Sequence, residues 1–407
     1  MSVRIFSSAI RTHLHFHKIH ADVSVRYYAG RPTAYVPYGK TGDGNYGSTL
    51  GKQSADYTEP VRDKILNGVK SIPFTAKDSV FNIGDYGAAD GSASMAMIGQ
   101  MLATLKDQHG PEAQFQVIYE DSEVNDFNSL FKRTAGIIPE PPSYLLEMDN
   151  VYVLAAGTNF YKQCVPSNSM HFIMSMIAVH WLSKTPIHFK DSIYKYPESS
   201  AEEEMALEKQ SEIDLETFLL LRSREMKKGG LLVLGAGCET VDKSSGKIKY
   251  LSETFITLLT KVWQEYRESG KISKEEFFNT NLSFCLHSMA QLRKPFDDKM
   301  SAVSKSGLCL LSAETVINPD IFYTTWREKK DKEGIDDREE FARMYTSAHR
   351  NWGNSTFMNG LSDSRSQEEK KKIVDEFYES VEKRISKLSP EEFKDDLRLT
   401  YLVIRKE

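Results

Sequence analysis

Short apolar runs, each followed by a glycine or acidic turn, alternate with segments of helical spacing along much of the chain. Such runs are typical of buried strands, and four of them predict a β-strand: SVFNIG (79–84), QFQVIYED (114–121), NVYVLAAG (150–157) and LLVLGAG (231–237). The segment between the first two has few helix breakers and predicts a long helix. Strands that alternate with helices are typical of an α/β, doubly wound, Rossmann-like parallel sheet, which binds ligands at the carboxyl ends of its strands.

The remaining pattern predicts helices around this sheet. LETFLLLRSREMKK (215–228) is amphipathic, and the Gly229-Gly230 pair after it is typical of a helix C-terminus. Residues 250–315 are predicted to be mostly helical, and residues 362–390 to form one or two charged helices. SMHFIMSMIAVHWLS (169–183) has no clear period and predicts either a buried strand or a mixture of helix and strand.

Composition narrows the class of protein. A net charge of −5 over 407 residues gives no reason to expect nucleic acid as a partner. The cysteines are scattered, which favours reduced thiols over a disulfide framework or a zinc site. The longest apolar stretch, 170–182, is too short to span a bilayer, so a soluble protein is expected. The basic N-terminal segment has no acid before Asp22, which is typical of a flexible tail or a mitochondrial transit segment.

The stretch FNIGDYGAADGS (81–92) places three glycines and two carboxylates directly after the first predicted strand. The glycine spacing does not match the G-x-G-x-x-G of dinucleotide sites, and an acid in this turn would repel a pyrophosphate. Asp85 and Asp121 instead end two successive strands, where they suit a ligand with a cationic end and sugar hydroxyls. S-adenosylmethionine (SAM) is such a ligand, although the two acids could also be plain polar strand ends.

Several longer motifs resemble those of one family. They occur in the family's order and are GDGNYGSTLGKQ (42–53), Asp85-Tyr86-Gly87, QVIYEDSEVNDFNSLF (116–131) and TNFYKQCVPSNSMHFIMSMIAVHWLSKTP (158–186). They resemble the motifs of the plant-type SABATH methyltransferases, which methylate salicylic, benzoic and jasmonic acids and the xanthines of caffeine synthesis. The resemblance runs from about Gly42 to about Pro319. It implies a class I methyltransferase sheet with a mostly helical cap and SAM as cofactor.

Carried over position by position, the resemblance assigns two groups of residues. Those for the cofactor are Tyr46, Asp85, Gly87, Asp121, Ser122, Asn159 and Phe160. Those for a carboxylic acid substrate are Gln53, His180, Trp181 and Ile177. Ser122 and Asn159 differ from the family's residues, and Ala88-Ala89-Asp90 replaces Cys-Ser-Ser. Ile177 replaces a tyrosine of the substrate pocket, which argues against a flat aromatic acid.

Methyl transfer to a carboxylate needs placement and no general base, because a carboxylic acid with a pKa of about 4.3 is already ionised at neutral pH. No catalytic triad and no metal are predicted. The N–H groups of Gln53 and Trp181 would orient the carboxylate, with His180 either a third donor or a core residue. The neighbouring apolar residues predict an aliphatic acid, such as a fatty or isoprenoid acid: Phe172, Met174 and Met176.

We therefore expect a SAM-dependent O-methyltransferase that forms methyl esters of small-molecule carboxylic acids. An N-methyltransferase of the same family and a catalytically silent SAM-binding protein are the alternatives, with a nicotinamide dehydrogenase more distant. The expected regions are a flexible tail or transit segment (1–40), the methyltransferase domain (41–320) with cap insertions at about 186–225 and 250–315, and a mostly helical extension (321–407). The resemblance suggests a homodimer. The expected compartment is the cytoplasm, or the mitochondrion if the tail is a transit segment.

Overall fold

The computed structural model of the protein describes residues 38–55, 57–77, 79–195, 199–241, 248–249 and 251–407, with the backbone alone at 51–55, 240–241 and 248–249. The helices are α1 (Asn45–Ala55), α2 (Arg62–Lys70), α3 (Met95–His109), α4 (Phe127–Thr134), α5 (Ala201–Glu225), α6 (Glu253–Glu268), α7 (Lys274–Asn279), α8 (Met289–Asp297), α9 (Ala302–Lys305), α10 (Ile321–Glu333), α11 (Arg338–Gly360) and α12 (Gln367–Ile385). Single 3₁₀ turns lie at Glu59–Val61, Tyr144–Leu146 and Pro390–Phe393. The expected N-terminal tail falls almost entirely outside these residues.

The strands form one large mixed sheet and a small hairpin. They are β1 (Phe81–Tyr86), β2 (Phe115–Asp121), β3 (Val151–Gly157), β4 (Met170–Met176), β5 (Met226–Gly237), β6 (Thr240–Val241), β7 (Ile248–Lys249), β8 (Leu308–Asn318) and β9 (Leu397–Lys406). The large sheet has the order β3-β2-β1-β4-β5-β9-β8, and β6 pairs only with β7. Strands β1 to β5 run parallel, so their carboxyl ends lie along one edge. The doubly wound arrangement expected from the sequence is confirmed.

The large sheet is completed by two antiparallel strands from the second half of the chain. β9 lies between β5 and β8 and pairs with both. The helical expectation was therefore wrong for residues 308–315, which belong to β8, and for residues 397–406, which form β9. Residues 397–404 are buried throughout, so β9 lacks the alternation of apolar and polar residues by which a half-exposed strand is recognised.

The connection from α5 to β5 also differs from the expectation. The helix ends at Glu225, and Met226 already pairs with β4, so the predicted C-terminus at Gly229-Gly230 is wrong. Gly229 has a φ of 81° and lies where the register between β4 and β5 shifts. A Cβ atom at Gly229 would lie 2.5 Å from Pro73 Cδ, so glycine is needed for a bulge packed against the loop before β1.

Apolar side chains pack in three clusters. One lies between the sheet and α2 and α3, and another between the opposite face and α5, where Leu215, Phe218 and Leu219 are buried. The segment expected as a cap insertion at 186–225 thus includes a helix packed on the sheet. The third cluster joins α6, α7, α10, α11 and α12 into a helical layer at the end of the sheet where the cleft described below opens. Among the described residues, no helix combines the length and the apolar character that a membrane span requires.

Candidate functional site

A cleft of about 310 Å³ lies at the carboxyl ends of the parallel strands. Its floor is formed by the residues that follow each strand, and the helical layer covers it. The lining residues at the strand ends are Gly87 and Ala89 after β1, Asp121 and Ser122 at β2, Asn159 and Phe160 after β3, Ile177 and Ala178 after β4, and Gly237 at β5. The sheet topology therefore places the cleft where doubly wound folds bind their ligands.

The turn after β1 brings backbone close to the cleft. Gly87 has a φ of 79°, and a Cβ atom there would lie 2.4 Å from Ala178 Cβ. The amide N–H groups of Gly87 and Ala88 donate to the Glu120 carbonyl at 2.8 and 3.0 Å. These contacts hold the turn against β2, and only glycine fits at position 87.

The two carboxylates predicted from the sequence have different surroundings. Asp121 lines the cleft and accepts hydrogen bonds from the N–H groups of Ala89 and Ser122, both at 2.7 Å. Asp85 does not line the cleft; its Oδ2 accepts from Ser94 Oγ at 2.5 Å. Burial raises the pKa of Asp85 to about 7 and that of Asp121 to about 6, and hydrogen bonds oppose the shift in both.

The start of α1 brings Tyr46 into the cleft, close to these acids. The Gly47 N–H donates to Asp90 Oδ2 at 3.0 Å, and Asp90 forms a buried ion pair with Arg133 at 2.6 Å. Burial raises the pKa of the Tyr46 hydroxyl, and the nearby carboxylates of Asp90, Asp121 and Asp85 raise it further. Tyr46 therefore lies within electrostatic reach of all three carboxylates. The Asp90–Arg133 pair, which sequence reasoning missed, fixes the helix that carries Tyr46.

The loop after β3 is held from behind by two residues of α5. The Arg222 guanidinium donates to the carbonyls of Phe160 and Lys162, each at 2.9 Å. Glu225 accepts from Arg222 at 2.9 Å and from the Cys164 N–H at 2.6 Å, and both charged side chains are fully buried. This pair fixes the loop that brings Asn159 and Phe160 into the cleft.

A second group of predicted residues meets at the wall formed after β4. Trp181 lines the cleft beside His180 and Phe284, with ring centroids 5.3 and 5.7 Å away. Burial lowers the pKa of His180 to about 3, and its Nδ1 atom has no hydrogen-bond partner among the described residues. Ile177 lines the cleft with a φ of 50°, a left-handed conformation that is strained for a β-branched residue.

Gln53 is the one predicted site residue whose side chain lies outside the described part of the chain, although its backbone belongs to α1. Nine of the ten other predicted residues line one cleft, and the tenth, Asp85, lies behind its floor. The structure therefore brings the predicted cofactor and substrate groups together, with Gln53 untested.

Sequence reasoning missed the far end of the cleft, which comes from the C-terminal part of the chain. This end is lined by residues at the start of α10, in α11 and around the start of β9: Asp320, Phe322, Tyr345, His349, Trp352, Asp395 and Leu397. The motifs that resemble the family end near Pro319, so no family motif assigned a role to these residues. A usable signal was present nevertheless, because Phe341, Tyr345 and His349 recur at a spacing of four and predict an aromatic face on a helix.

The charges that line the cleft are all negative among the described residues. They belong to Asp121, Glu123, Asp320 and Asp395, and no lysine or arginine of the described part contributes to the lining. A cleft of this kind attracts a cationic ligand group at its acidic floor. An anionic group must instead be held by neutral donors.

Comparison with known proteins shows the fold and the family of the chain. A solved structure titled loganic acid methyltransferase with SAH superposes with a TM-score of 0.68, covers 91% of this chain and 98% of its own, and is 18% identical. The chain thus has the same fold as that protein, with its cleft at the carboxyl ends of the parallel strands. A family model described as SAM dependent carboxyl methyltransferase matches residues 41–406, and the chain belongs to this family, the SABATH methyltransferases.

Two relatives show the degree of similarity. A benzoic acid/salicylic acid carboxyl methyltransferase of Petunia hybrida is 27% identical over 266 residues, which are 63% of this chain and 72% of the relative. A farnesoic acid carboxyl-O-methyltransferase of Arabidopsis thaliana is 27% identical over 221 residues, which are 51% of this chain and 60% of the relative. The family's cofactor is SAM.

The residues at the floor of the cleft fit SAM. Ser122 Oγ is buried without a hydrogen-bond partner in the described part of the chain, and it lies beside Asp121 at the end of β2. Gly87 has no side chain to cover its backbone, and the charged residues of the lining are acidic. A sulfonium nucleoside carries a positive charge and sugar hydroxyls, which are the groups that an acidic lining with an unpaired hydroxyl suits.

Proposed function

We propose that this protein transfers the methyl group of SAM to the carboxylate of a small, predominantly apolar acid and so forms a methyl ester. The single observation that supports this best is the composition of the cleft. Its floor is acidic, its walls are apolar or aromatic, and its described lining contains no lysine or arginine. Such a cleft can hold an anion only through neutral donors, which leave the carboxylate oxygen nucleophilic.

In this proposal the cofactor lies along the strand ends. Asp121 and Ser122 would bind ribose hydroxyls, and Asn159 and Phe160 would bracket the adenine, with the Phe160 ring as a stacking surface. Tyr46, Gly87 and Asp85 would surround the methionine part, Asp85 acting from behind the floor. When bound, SAM supplies an electrophilic methyl group on a positively charged sulfur.

The chain's own residues would then position the acceptor. The indole N–H of Trp181, the amide of Gln53 and the single N–H of neutral His180 would donate to the carboxylate. Burial keeps the pKa of His180 at about 3, so this side chain adds a donor without adding a charge. Alignment of two reactants is worth roughly 7–11 kcal/mol. No proton has to be removed, since the acceptor is ionised at neutral pH.

The acceptor's carbon chain would lie along the apolar wall. Leu50, Met176, Ile177, Leu251 and Leu286 line the cleft, together with aromatic rings from the helical layer. Flexible and aliphatic side chains of this kind suit an extended chain such as a fatty or isoprenoid acid. The name of the Arabidopsis thaliana relative, a farnesoic acid carboxyl-O-methyltransferase, supports the same class of acceptor.

The experiment is an assay of the purified protein with labelled SAM against fatty, isoprenoid and aromatic acids and a xanthine. Isoprenoid or fatty acids should be methylated with the highest kcat/KM. Turnover of the xanthine alone would contradict the proposal, and so would a protein that binds SAM yet methylates no acid.

The variant Trp181→Phe keeps a ring in the wall and removes its N–H donor. A hydrogen bond to a charged group is worth about 1.5–3 kcal/mol, so kcat/KM for the acid should fall by about 10- to 150-fold while the Kd for SAM stays the same. Trp326→Phe is the matched control, because its indole donates to Asp336 at 3.0 Å and the residue does not line the cleft. Equal activity of Trp181→Phe and Trp326→Phe would show that the indole does not hold the acceptor.

A further inference from the structure

The far end of the cleft contains a histidine, one of whose ring nitrogens makes no hydrogen bond to the described residues. His349 Nδ1 lies 2.8 Å from the Tyr345 carbonyl, which can only accept, so Nδ1 carries the proton. Burial lowers the pKa of His349 to about 4, so the ring is neutral at physiological pH and Nε2 is a hydrogen-bond acceptor. The ring lines the cleft, and Nε2 has no hydrogen-bond partner among the described residues.

A row of aromatic rings separates His349 from the carboxylate end of the cleft. The Trp181 and Phe284 centroids are 5.7 Å apart, those of Phe284 and Trp352 6.3 Å, and those of Trp352 and His349 5.8 Å. Each of these rings lines the cleft. An extended acceptor held by its carboxylate at Trp181 would lie along this row and bring its other end towards His349.

The charged groups that line this end are also acceptors. Asp320 and Asp395 line it, and their carboxylates already accept backbone N–H groups, those of Phe322 and Tyr323 for Asp320 and that of Ser252 for Asp395. Arg398 is the nearby cation, 3.6 Å from Asp395, and it does not line the cleft. This end thus disfavours a second carboxylate on the acceptor and favours a hydrogen-bond donor.

We propose that the far end of the cleft selects acids that carry a hydroxyl group at the end remote from the carboxylate, and that the hydroxyl donates to His349 Nε2. The inference rests on the proposed function, since it places the acceptor's carboxylate at Trp181. Chain and hydroxyl are then recognised by different parts of the protein. The aromatic row accepts any apolar chain of suitable length, and His349 distinguishes a terminal hydroxyl from a terminal methyl.

The test uses pairs of saturated acids of matched chain length, one with a terminal hydroxyl and one without. Binding of each acid is measured by calorimetry to the protein saturated with SAH, and kcat/KM is measured separately with SAM. The variants are His349→Phe, which keeps an aromatic ring but removes the acceptor, and His349→Gln, which restores an acceptor oxygen. His188→Phe is the control, because His188 is exposed and does not line the cleft.

The parent protein should bind the hydroxy acid of the best pair about tenfold more tightly, which corresponds to roughly 1.4 kcal/mol. The ratio should fall to about one in His349→Phe, recover in part in His349→Gln and stay unchanged in His188→Phe. An unaltered Kd for SAM would confirm that each variant is folded.

The results separate this proposal from the proposed function. A parent ratio of one or below, a ratio that survives in His349→Phe, or no binding of either acid would overturn the role of His349. Methylation of both acids at equal kcat/KM would support the carboxyl methyltransferase activity and would refute selection for the hydroxyl group. The expected binding ratio without any methyl transfer would sustain the role of His349 and remove the proposed reaction.

Discussion

Arg222 is a fully buried cation whose replacement by methionine tests how the cofactor loop is held. Its guanidinium donates to the carbonyls of Phe160 and Lys162 and to Glu225, each at 2.9 Å, and it lies over the Tyr86 ring at 4.6 Å from the centroid. Methionine fills much of the same space and can make none of these hydrogen bonds. The change therefore removes the electrostatic contacts while keeping an apolar stem in the core.

The expected cost follows from the charge left behind. Glu225 is itself fully buried, and without Arg222 its carboxylate keeps the Cys164 N–H, the Tyr86 hydroxyl and a longer contact of 3.4 Å from the Val165 N–H, all of them uncharged donors. Removing one partner of a buried ion pair typically costs 3–5 kcal/mol. This is a large fraction of the total stability of a typical protein, about 5–15 kcal/mol. The Kd for SAM should rise roughly tenfold as well, because Phe160 loses its anchor.

Urea unfolding followed by circular dichroism measures the stability, and calorimetry measures the Kd for SAM. Arg293→Met is the matched control, because Arg293 forms an exposed ion pair with Asp297 one helical turn away, for which about 0.5 kcal/mol or less is expected. Adding Glu225→Gln to Arg222→Met should restore part of the stability but not the affinity for SAM. An Arg222→Met protein no less stable than Arg293→Met, or one with unchanged affinity for SAM, would refute this account of the loop.

Two further predictions concern the floor of the cleft. Burial raises the pKa of Asp85 to about 7 and that of Asp121 to about 6, so both carboxylates take up protons as the pH falls through this range. The Kd for SAM should therefore rise as the pH is lowered from about 8 to about 5, because the acids lose the charge that attracts the cation. A Kd that stays constant over this range in calorimetry would contradict the prediction. Gly87→Ala should weaken SAM binding at least tenfold and should lower the melting temperature more than the control Gly270→Ala does. Both glycines have a positive φ, but of the two only Gly87 lacks space for a Cβ atom. Equal effects of the two substitutions would show that a Cβ atom at position 87 does not clash with Ala178.

Local pattern sufficed for the floor of the cleft. Strands β1, β2 and β3 were predicted close to their observed bounds, because each is a short apolar run followed by a turn. The parallel arrangement then places Asp85 and Asp121 at the ends of two neighbouring strands. The SABATH resemblance added Tyr46, the Asn159-Phe160 pair and Trp181, and these residues do line one cleft.

Only the tertiary structure decided which of these side chains reach the cleft and what completes it. Asp85 lies one residue before the end of β1, which Tyr86 forms, and Ser94 holds its carboxylate behind the floor. β9 inserts between β5 and β8, and α11 carries His349 to a cleft whose floor is formed by residues far earlier in the chain. The physical reason is that a hydrophobic period reports which face of an element is buried but not against which partner. Contacts between distant segments are decided by packing, so the sequence pattern did not predict which residues form the far end of the cleft.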